Sequence, residues 1–239
     1  MPILSARIRT FTAMVASTRS AVLVGIEPRE VSVEVYTKTG KERFALVGLP
    51  DTAVREARHR VRSAMDNVGL GFHKGEVTVN LGPGSLPKTG SGFDLAIALG
   101  VAASMKPHEY HPHGFNSVGE LALDGGVRPA RGGLAAALLS RDLGIPCLLP
   151  PETAAQAAHV GGADVRAVRT LTEAISVVAG RGVATSVQPP RPERAEIEDR
   201  SDVRGQPIAR RALEVAAAGG HHLLLSGPPG CGKTMLAVR

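Results

Sequence analysis

Large aromatic residues are scarce in this chain. Its 239 residues contain no Trp, two Tyr and five Phe. Because bulky rings are few, most of the core volume must come from Ala, Val, Leu and Ile. The hydrophobic share is 43% and the charged share is 21%, which is the composition of a soluble globular protein.

Cysteine is also scarce, since Cys147 and Cys231 are the only two. Two thiols are too few for a disulfide framework and their spacing matches no metal motif, so we expect reduced thiols. No apolar run reaches the roughly 18 residues of a membrane span. Polar residues interrupt the apolar stretch after Arg7 and Arg9, which argues against a signal peptide. These absences predict a cytoplasmic protein.

Acidic residues are outnumbered by basic ones, and the formal net charge is +6. This excess favours an anionic partner such as a nucleotide or a nucleic acid, although a solvated basic surface explains it equally well. One helix face concentrates the charge. DNA phosphates, solvent and a neighbouring subunit are its three candidate partners, and its residues are Arg55, Arg58, His59, Arg60 and Arg62.

Hydrophobic periodicity predicts a single α/β domain over residues 1–180. Alternating valines at 31–35 are typical of a half-buried strand, and a turn at 39–41 before an apolar run at 44–47 predicts a hairpin. Asp51 is a good N-cap for the helix that follows. That helix is predicted at 51–67 and others at 93–105, 134–143, 151–159 and 171–179, with strands at 76–81, 118–123, 146–149 and 165–168.

A compositional break separates this domain from the rest. Pro and charged residues dominate 181–200, which is the signature of a linker. Residues 201–239 then begin a second domain. We predict a helix over 207–218 and a short apolar strand over 222–226.

The most specific motif follows that strand and fits the phosphate-loop pattern G-x-x-x-x-G-K-[ST] in full. Its glycines allow a tight turn whose amides point at one anion, and the next helix begins there. Lys233 is placed to reach the β- and γ-phosphates, and the Thr234 hydroxyl to ligate Mg²⁺. An ordinary Gly-rich turn is the competing explanation. The residues predicted to bind ATP and Mg²⁺ are Gly227, Pro228, Pro229, Gly230, Cys231, Gly232, Lys233 and Thr234.

A phosphate-loop ATPase also needs an acidic partner for Mg²⁺ and water on a later strand, and usually an arginine from a neighbour. The sequence ends at Arg239, five residues after Thr234, and contains neither feature. We therefore expect a fragment that lacks the parts required for hydrolysis, and no catalytic residue is identified. Cys231 fills a variable position of the motif and is interpreted as incidental rather than nucleophilic.

Several stretches resemble one protein family, and the similarity extends from about residue 20 to residue 239. Together they are similar to the ComM/YifB family of magnesium-chelatase-like AAA+ ATPases. The stretches are Val47-Gly48-Leu49-Pro50, Val79-Asn80-Leu81-Gly82-Pro83, Leu86-Pro87-Lys88, Val118-Gly119-Glu120-Leu121 and Ala217-Ala218-Gly219-Gly220-His221-His222.

This resemblance implies a first domain with the ribosomal-S5-domain-2-like fold of the Lon proteolytic domain, followed by the truncated start of an AAA+ module. It implies hexameric rings and, for ComM-type members, a DNA helicase that promotes branch migration during natural transformation. It also places segment 202–206 near the adenine, with Val203 and Gln206 as candidate contacts. A chelatase-like ATPase that remodels a protein or metallation complex without DNA remains an alternative.

A peptidase is a further alternative that the resemblance raises and the residues disfavour. Lon-type enzymes use a Ser nucleophile with a Lys base. The nucleophile position falls on Gly92 and the base position on Ala137, while Ser91 lies one residue early. A serine without a nearby base is a weak nucleophile, so we expect a scaffold, or a contact with DNA or a partner.

Two other groups have ordinary structural explanations. Asp94 on an apolar helix predicts a buried, hydrogen-bonded carboxylate rather than a catalytic one. His108, His111 and His113 cluster in one loop, but no Cys or second cluster completes a tetrahedral set. We therefore expect no metal site there.

Overall fold

A computed structural model describes residues 15–189 and 203–238. The chain divides into two compact units, Met1–Pro190 and Arg191–Arg239, and each is described by itself. Three features considered above lie outside the described residues: the stretch around Arg7 and Arg9, most of the predicted linker, and Asp202.

Strands form the centre of the first unit. They are β1 (Val15–Val24), β2 (Glu27–Lys38), β3 (Arg43–Val47), β4 (Glu76–Gly82), β5 (Asn116–Ser117), β6 (Glu120–Leu121), β7 (Val127–Arg128), β8 (Cys147–Leu149), β9 (Val165–Ala167) and β10 (Thr185–Ser186). Eight of these strands make one mixed sheet in the order β10-β9-β8-β5-β1-β2-β4-β3, and β6 and β7 pair antiparallel with each other.

Helices cover both faces of this sheet. The helices are α1 (Thr52–Asn67), α2 (Asp94–Met105), α3 (Gly133–Leu143), α4 (Pro151–Ala157) and α5 (Leu171–Val178). Neighbouring residues of a strand point to opposite faces. Ala21 packs in the core cluster that includes residues of α3 and α4, whereas Val22 packs against the cluster that includes residues of α1, α2 and α5. The α/β class predicted from the sequence is confirmed.

The hairpin predicted around residues 39–41 is wrong. β2 and β3 do not pair, because β4 lies between them, antiparallel to β2 and parallel to β3. The turn after β2 leaves a gap of one strand between β2 and β3, and β4 fills that gap. Helix α1 forms the crossover connection from β3 to the parallel β4. The hairpin that does form joins β1 to β2, with Val15 opposite Tyr36 and Val24 opposite Glu27.

The alternating valines of β2 and the N-cap of α1 are confirmed. Val31, Val33 and Val35 are fully buried. The Asp51 carboxylate accepts a hydrogen bond from the Val54 N–H at 2.8 Å, so it satisfies a first-turn amide that has no acceptor within the helix.

Helix α2 is buried on nearly all sides, as its apolar sequence predicts. Close packing against the sheet depends on Gly100, since a Cβ there would lie 2.6 Å from Val35 Cγ2. The small side chains that line α2, mostly alanines, let the helix approach the strands closely.

The linker is predicted to start at residue 181, but the first unit continues beyond that residue. Thr185 and Ser186 form β10, which pairs antiparallel with Ala167 and Arg166 of β9, and Ala184 is buried. Two residues of backbone pairing leave no hydrophobic pattern, so the sequence showed no strand there. Residues 190–202 lie outside the described part of the chain.

The second unit contains two helices in its described residues, α6 (Pro207–Gly219) and α7 (Lys233–Val238). The predicted helix over 207–218 is confirmed. The predicted strand over 222–226 is not formed, because a strand needs a pairing partner and residues 203–238 contain none. No helix among the described residues combines the length and apolar content that a bilayer crossing requires.

Candidate nucleotide-binding site

The phosphate loop, residues 227–234, turns back on itself before α7. Gly230 and Gly232 adopt left-handed backbone conformations, with φ of 81° and 83°. Glycine adopts this region freely because it lacks a Cβ. The path of the chain therefore favours glycine at positions 230 and 232, just before the start of α7.

The Lys233 side chain folds over the loop. Its ammonium donates hydrogen bonds to the carbonyl oxygens of Gly227 at 2.9 Å and Pro228 at 2.7 Å. The Cys231 sulfur lies 3.5 Å from the same nitrogen. Among the described residues, the acceptors that hold this half-buried positive charge beside the loop are neutral. A phosphate could replace them with charge-assisted hydrogen bonds.

Helix α7 begins at Lys233, and the Leu236 N–H donates to the Gly232 carbonyl at 3.0 Å. The N–H groups that precede Leu236 in the first turn have no acceptor in the helix. Thr234 is exposed, so its hydroxyl is accessible for a metal ligand.

Segment 203–206 supplies the opposite side of the loop. The Gln206 amide donates from Nε2 to the Cys231 carbonyl at 2.9 Å. Val203 is buried, and its carbonyl accepts from Arg210 of α6 at 3.3 Å. Gln206 therefore contacts the loop directly. Sequence reasoning did not select Arg210, since its acceptor is a main-chain oxygen that any residue would present.

Cys231 is packed inside the loop. A Cβ at Gly227 would lie 3.1 Å from its sulfur, so the first glycine of the motif leaves room for this side chain. The position is half-buried. Cys147, by contrast, is buried in the first unit, and burial raises the pKa of its thiol to about 12.

Gly92 and Ala137, the positions at which a Lon-type enzyme would have its catalytic Ser and Lys, are both buried in this chain. A Cβ at Gly92 would lie 2.8 Å from the Arg131 carbonyl oxygen, so a serine there has no space. Ala137 is fully buried. The Ser91 hydroxyl donates to the Glu120 carboxylate, which is not the lysine amine that Lon-type chemistry uses.

Asp94 is the buried, hydrogen-bonded carboxylate that the sequence predicts. Arg60 donates to it from two nitrogens, at 2.5 Å and 3.0 Å, and the Leu121 N–H donates at 3.1 Å. The hydrogen bond to Asp94 raises the pKa of Arg60. Burial raises the pKa of the Asp94 carboxyl, and the bonds from Arg60 oppose that shift.

The basic helix face predicted on α1 is smaller than the sequence suggests. Arg60 points to Asp94, and Arg62 forms an ion pair with Glu42. Both guanidinium groups are therefore already paired with carboxylates within the protein. Arg55, Arg58 and His59 are exposed, and Arg55 donates to the Pro50 carbonyl at 3.2 Å.

Two further groups in the first unit bear on site assignment. The rings of His111 and His113 lie 6.2 Å apart, and residues 15–189 and 203–238 contain no group of three side chains able to hold a metal.

Lys88 is buried and donates to the Pro83 carbonyl. Burial lowers the pKa of its ammonium, and the sequence showed no sign of that environment.

Comparison with known proteins identifies the family. The model of subunit ChlI of Mg-chelatase matches residues 33–154, and the model of magnesium chelatase, subunit ChlI, matches residues 199–239. The second match includes the whole phosphate loop, and the first covers the centre of the α/β unit.

Curated relatives agree with these matches. An uncharacterized protein of Mycobacterium tuberculosis strain H37Rv is 43% identical over 224 residues, covering 92% of this chain and 44% of the relative. Competence protein ComM of Haemophilus influenzae is 38% identical over 227 residues, covering 92% and 45%. Protein YifB of Escherichia coli K12 is 37% identical over 230 residues, covering 94% and 44%. The chain thus spans less than half the length of these relatives, and it belongs to the ComM/YifB family of magnesium-chelatase-like proteins.

Proposed function

We propose that residues 227–234 bind ATP with Mg²⁺. The observation that carries this proposal is the Lys233 ammonium, held over a loop with two left-handed glycines by carbonyl oxygens at 2.7 and 2.9 Å. Loop amides and the start of α7 cradle the phosphates. Lys233 neutralises the β- and γ-phosphates, Thr234 ligates Mg²⁺ through its hydroxyl, and Val203 and Gln206 lie on the adenine side.

A titration with a fluorescent ATP analogue in the presence of Mg²⁺ tests the proposal. Lys233→Ala removes the charge, and we expect it to weaken binding by at least tenfold, since charge-assisted bonds contribute about 1.5 to 3 kcal/mol each. Lys41→Ala is the matched control, because Lys41 is an exposed lysine of the first unit. Equal affinities of wild-type protein and Lys233→Ala would contradict the proposal.

For the whole protein we propose an AAA+ ATPase that assembles as a hexameric ring in the cytoplasm. Family membership supports this assignment, and the chain supplies the phosphate loop of the ATPase module. The acidic Mg²⁺ partner and the arginine from a neighbour are not identified in these 239 residues. Sedimentation velocity of the full-length protein with and without ATP tests the ring, and a monomer under both conditions would contradict it.

The partner on which this ATPase acts is proposed to be DNA. The net charge of +6 and the similarity to a relative named as a competence protein support a DNA motor that promotes strand exchange or branch migration. Branched DNA should stimulate ATP turnover, and DNA affinity should fall steeply as salt rises. No DNA binding at low salt would count against this partner.

A chelatase-like remodelling ATPase is the second candidate, and the descriptions of both family models favour it. In that case a protein or metallation complex co-purifies with the full-length protein and stimulates ATP turnover, while branched DNA has no effect. The two candidates share the phosphate loop, so Lys233→Ala does not distinguish them. The response of ATP turnover to DNA does.

The first unit is proposed to have the ribosomal-S5-domain-2-like fold and to act as a scaffold or partner contact. The closed position at Gly92 and the Ser91–Glu120 hydrogen bond support a non-proteolytic role. We expect no cleavage of unfolded peptide substrates. Cleavage that is lost in Ser91→Ala would revive the peptidase alternative.

A further inference from the structure

We infer that Gln206 is a positioning residue that sets the orientation of the phosphate loop. This inference rests on the proposed binding of ATP to residues 227–234. Gln206 donates from its side-chain amide to the main-chain carbonyl of Cys231 at 2.9 Å. That carbonyl belongs to the peptide unit immediately before Gly232, one residue from Lys233.

The planarity of this peptide unit makes the contact consequential. In a trans peptide the C=O and the following N–H point in opposite directions. Holding the Cys231 carbonyl on Gln206 therefore turns the Gly232 N–H away from Gln206. The direction of one loop amide, a group that phosphate loops present to an anion, is thus set by a side chain outside the motif.

The backbone of Gln206 pays a conformational cost for this position. Its φ and ψ are 50° and 51°, in the left-handed region, where a residue with a Cβ is strained. The Gln206 carbonyl accepts the Arg210 N–H at 3.0 Å, at the start of α6. The strained residue is therefore fixed between a helix start and the loop.

Gln206 packs closely against the loop, and the segment before it is held by α6. A Cβ at Gly232 would lie 3.3 Å from Gln206 Nε2, so a side chain at 232 would press against the amide. The segment before Gln206 is also tied to α6, through the Arg210 bond to the Val203 carbonyl. The segment that Gln206 links to the loop is therefore itself held in place by a hydrogen bond from α6.

Two substitutions separate the contact from the strain. Gln206→Gly removes the amide and relaxes the left-handed conformation, while Gln206→Ala removes the amide and keeps the strain. We expect both to weaken binding of the fluorescent ATP analogue by about tenfold, as for the loss of one hydrogen bond. Gln206→Gly should weaken binding even though its melting temperature is no lower than that of Gln206→Ala. If Gln206 acted only by stabilising the fold, the loss of affinity would not occur without a loss of stability. Arg211→Ala, at an exposed residue of α6 whose side chain pairs with Glu214, should bind as wild type does.

A second readout needs no nucleotide. Release of the Cys231 carbonyl should loosen the loop, so maleimide should modify the half-buried Cys231 several-fold faster in both variants than in wild type. If wild-type protein fails to bind ATP, the proposed function fails, but the thiol rate still tests the contact. Wild-type affinity and thiol rate in Gln206→Gly, or an equal loss of affinity in Arg211→Ala, would overturn the inference.

Discussion

The ammonium of Lys233 lies within hydrogen-bonding distance of two loop carbonyls, and no carboxylate of residues 15–189 or 203–238 forms an ion pair with it. Neutral acceptors hold the charge in place without neutralising it. A triphosphate would compete successfully for the same donors, because hydrogen bonds between charged groups are about twice as strong as neutral ones. At the residue scale, this arrangement makes the loop receptive to an anion.

Other residues of the site differ in how far the sequence could specify them. The motif alone predicts Lys233, Thr234 and the glycines, because its spacing is fixed by the phosphate chemistry. Gln206 is selected by family resemblance, and its contact with the Cys231 carbonyl is visible only in the structure. The bond from Arg210 to Val203 leaves no mark in the sequence, since any residue presents a main-chain oxygen.

The buried pair of Arg60 and Asp94 gives a residue-scale prediction. Asp94→Asn removes the buried carboxylate that holds Arg60, whose side chain is only 18% exposed, and leaves Glu56 at 3.7 Å as the ion-pair partner of its guanidinium. We expect a loss of about 2 to 3 kcal/mol in the free energy of unfolding at pH 7, since unpairing buried charges is costly. Urea denaturation measures it.

Asp142→Asn is the control for that substitution, because Asp142 and Arg141 form an exposed pair with side-chain exposures of 56% and 43%. A change within about 0.5 kcal/mol is expected there. Equal effects of the two substitutions would show that burial of the Asp94 pair is unimportant.

At the scale of elements, periodic segments were predictable and pairing partners were not. α1, α2 and β4 follow from apolar spacing and a cap. The turn at 39–41 indicates a reversal but cannot specify which strand lies next to β3, since that depends on β4, more than 30 residues later. β10 is two residues long, and the apolar run at 222–226 has no partner strand in the described residues.

The contact between α2 and β2 gives a prediction at this scale. Gly100→Ala in an ordinary helix would stabilise by about 1 kcal/mol. Here the new Cβ would lie 2.6 Å from Val35 Cγ2, so we expect a loss of about 1 to 3 kcal/mol from overpacking. Thermal or urea unfolding measures it.

A double mutant tests the cause of that loss. Val35→Ala removes the methyl group that the new Cβ meets, so the double substitution should cost less than the sum of the two single ones. Strict additivity, or a stabilising Gly100→Ala, would contradict the close approach of α2 to the sheet.

At the scale of the whole molecule, two compact units share one chain, and both match magnesium-chelatase ChlI family models. The first unit contains the buried Arg60–Asp94 pair and has no space for a serine at Gly92. The second unit contains the phosphate loop. Composition and net charge indicate an anionic partner but do not select between nucleotide and nucleic acid. The loop motif favours a nucleotide, and both nucleotide binding and DNA binding stay predictions.

Protection of Cys231 by nucleotide tests the central claim most directly, because it reports ligand in the loop itself. Cys147 is an internal reference: with a pKa of about 12, its thiolate fraction at pH 8 is about one part in ten thousand, and it is buried. In native protein maleimide should therefore modify Cys231 alone, with Cys147 reacting only after denaturation. Saturating Mg²⁺–ATP should slow the modification of Cys231 at least tenfold in wild-type protein and leave it unchanged in Lys233→Ala. An unchanged rate in wild-type protein would contradict nucleotide binding by this loop.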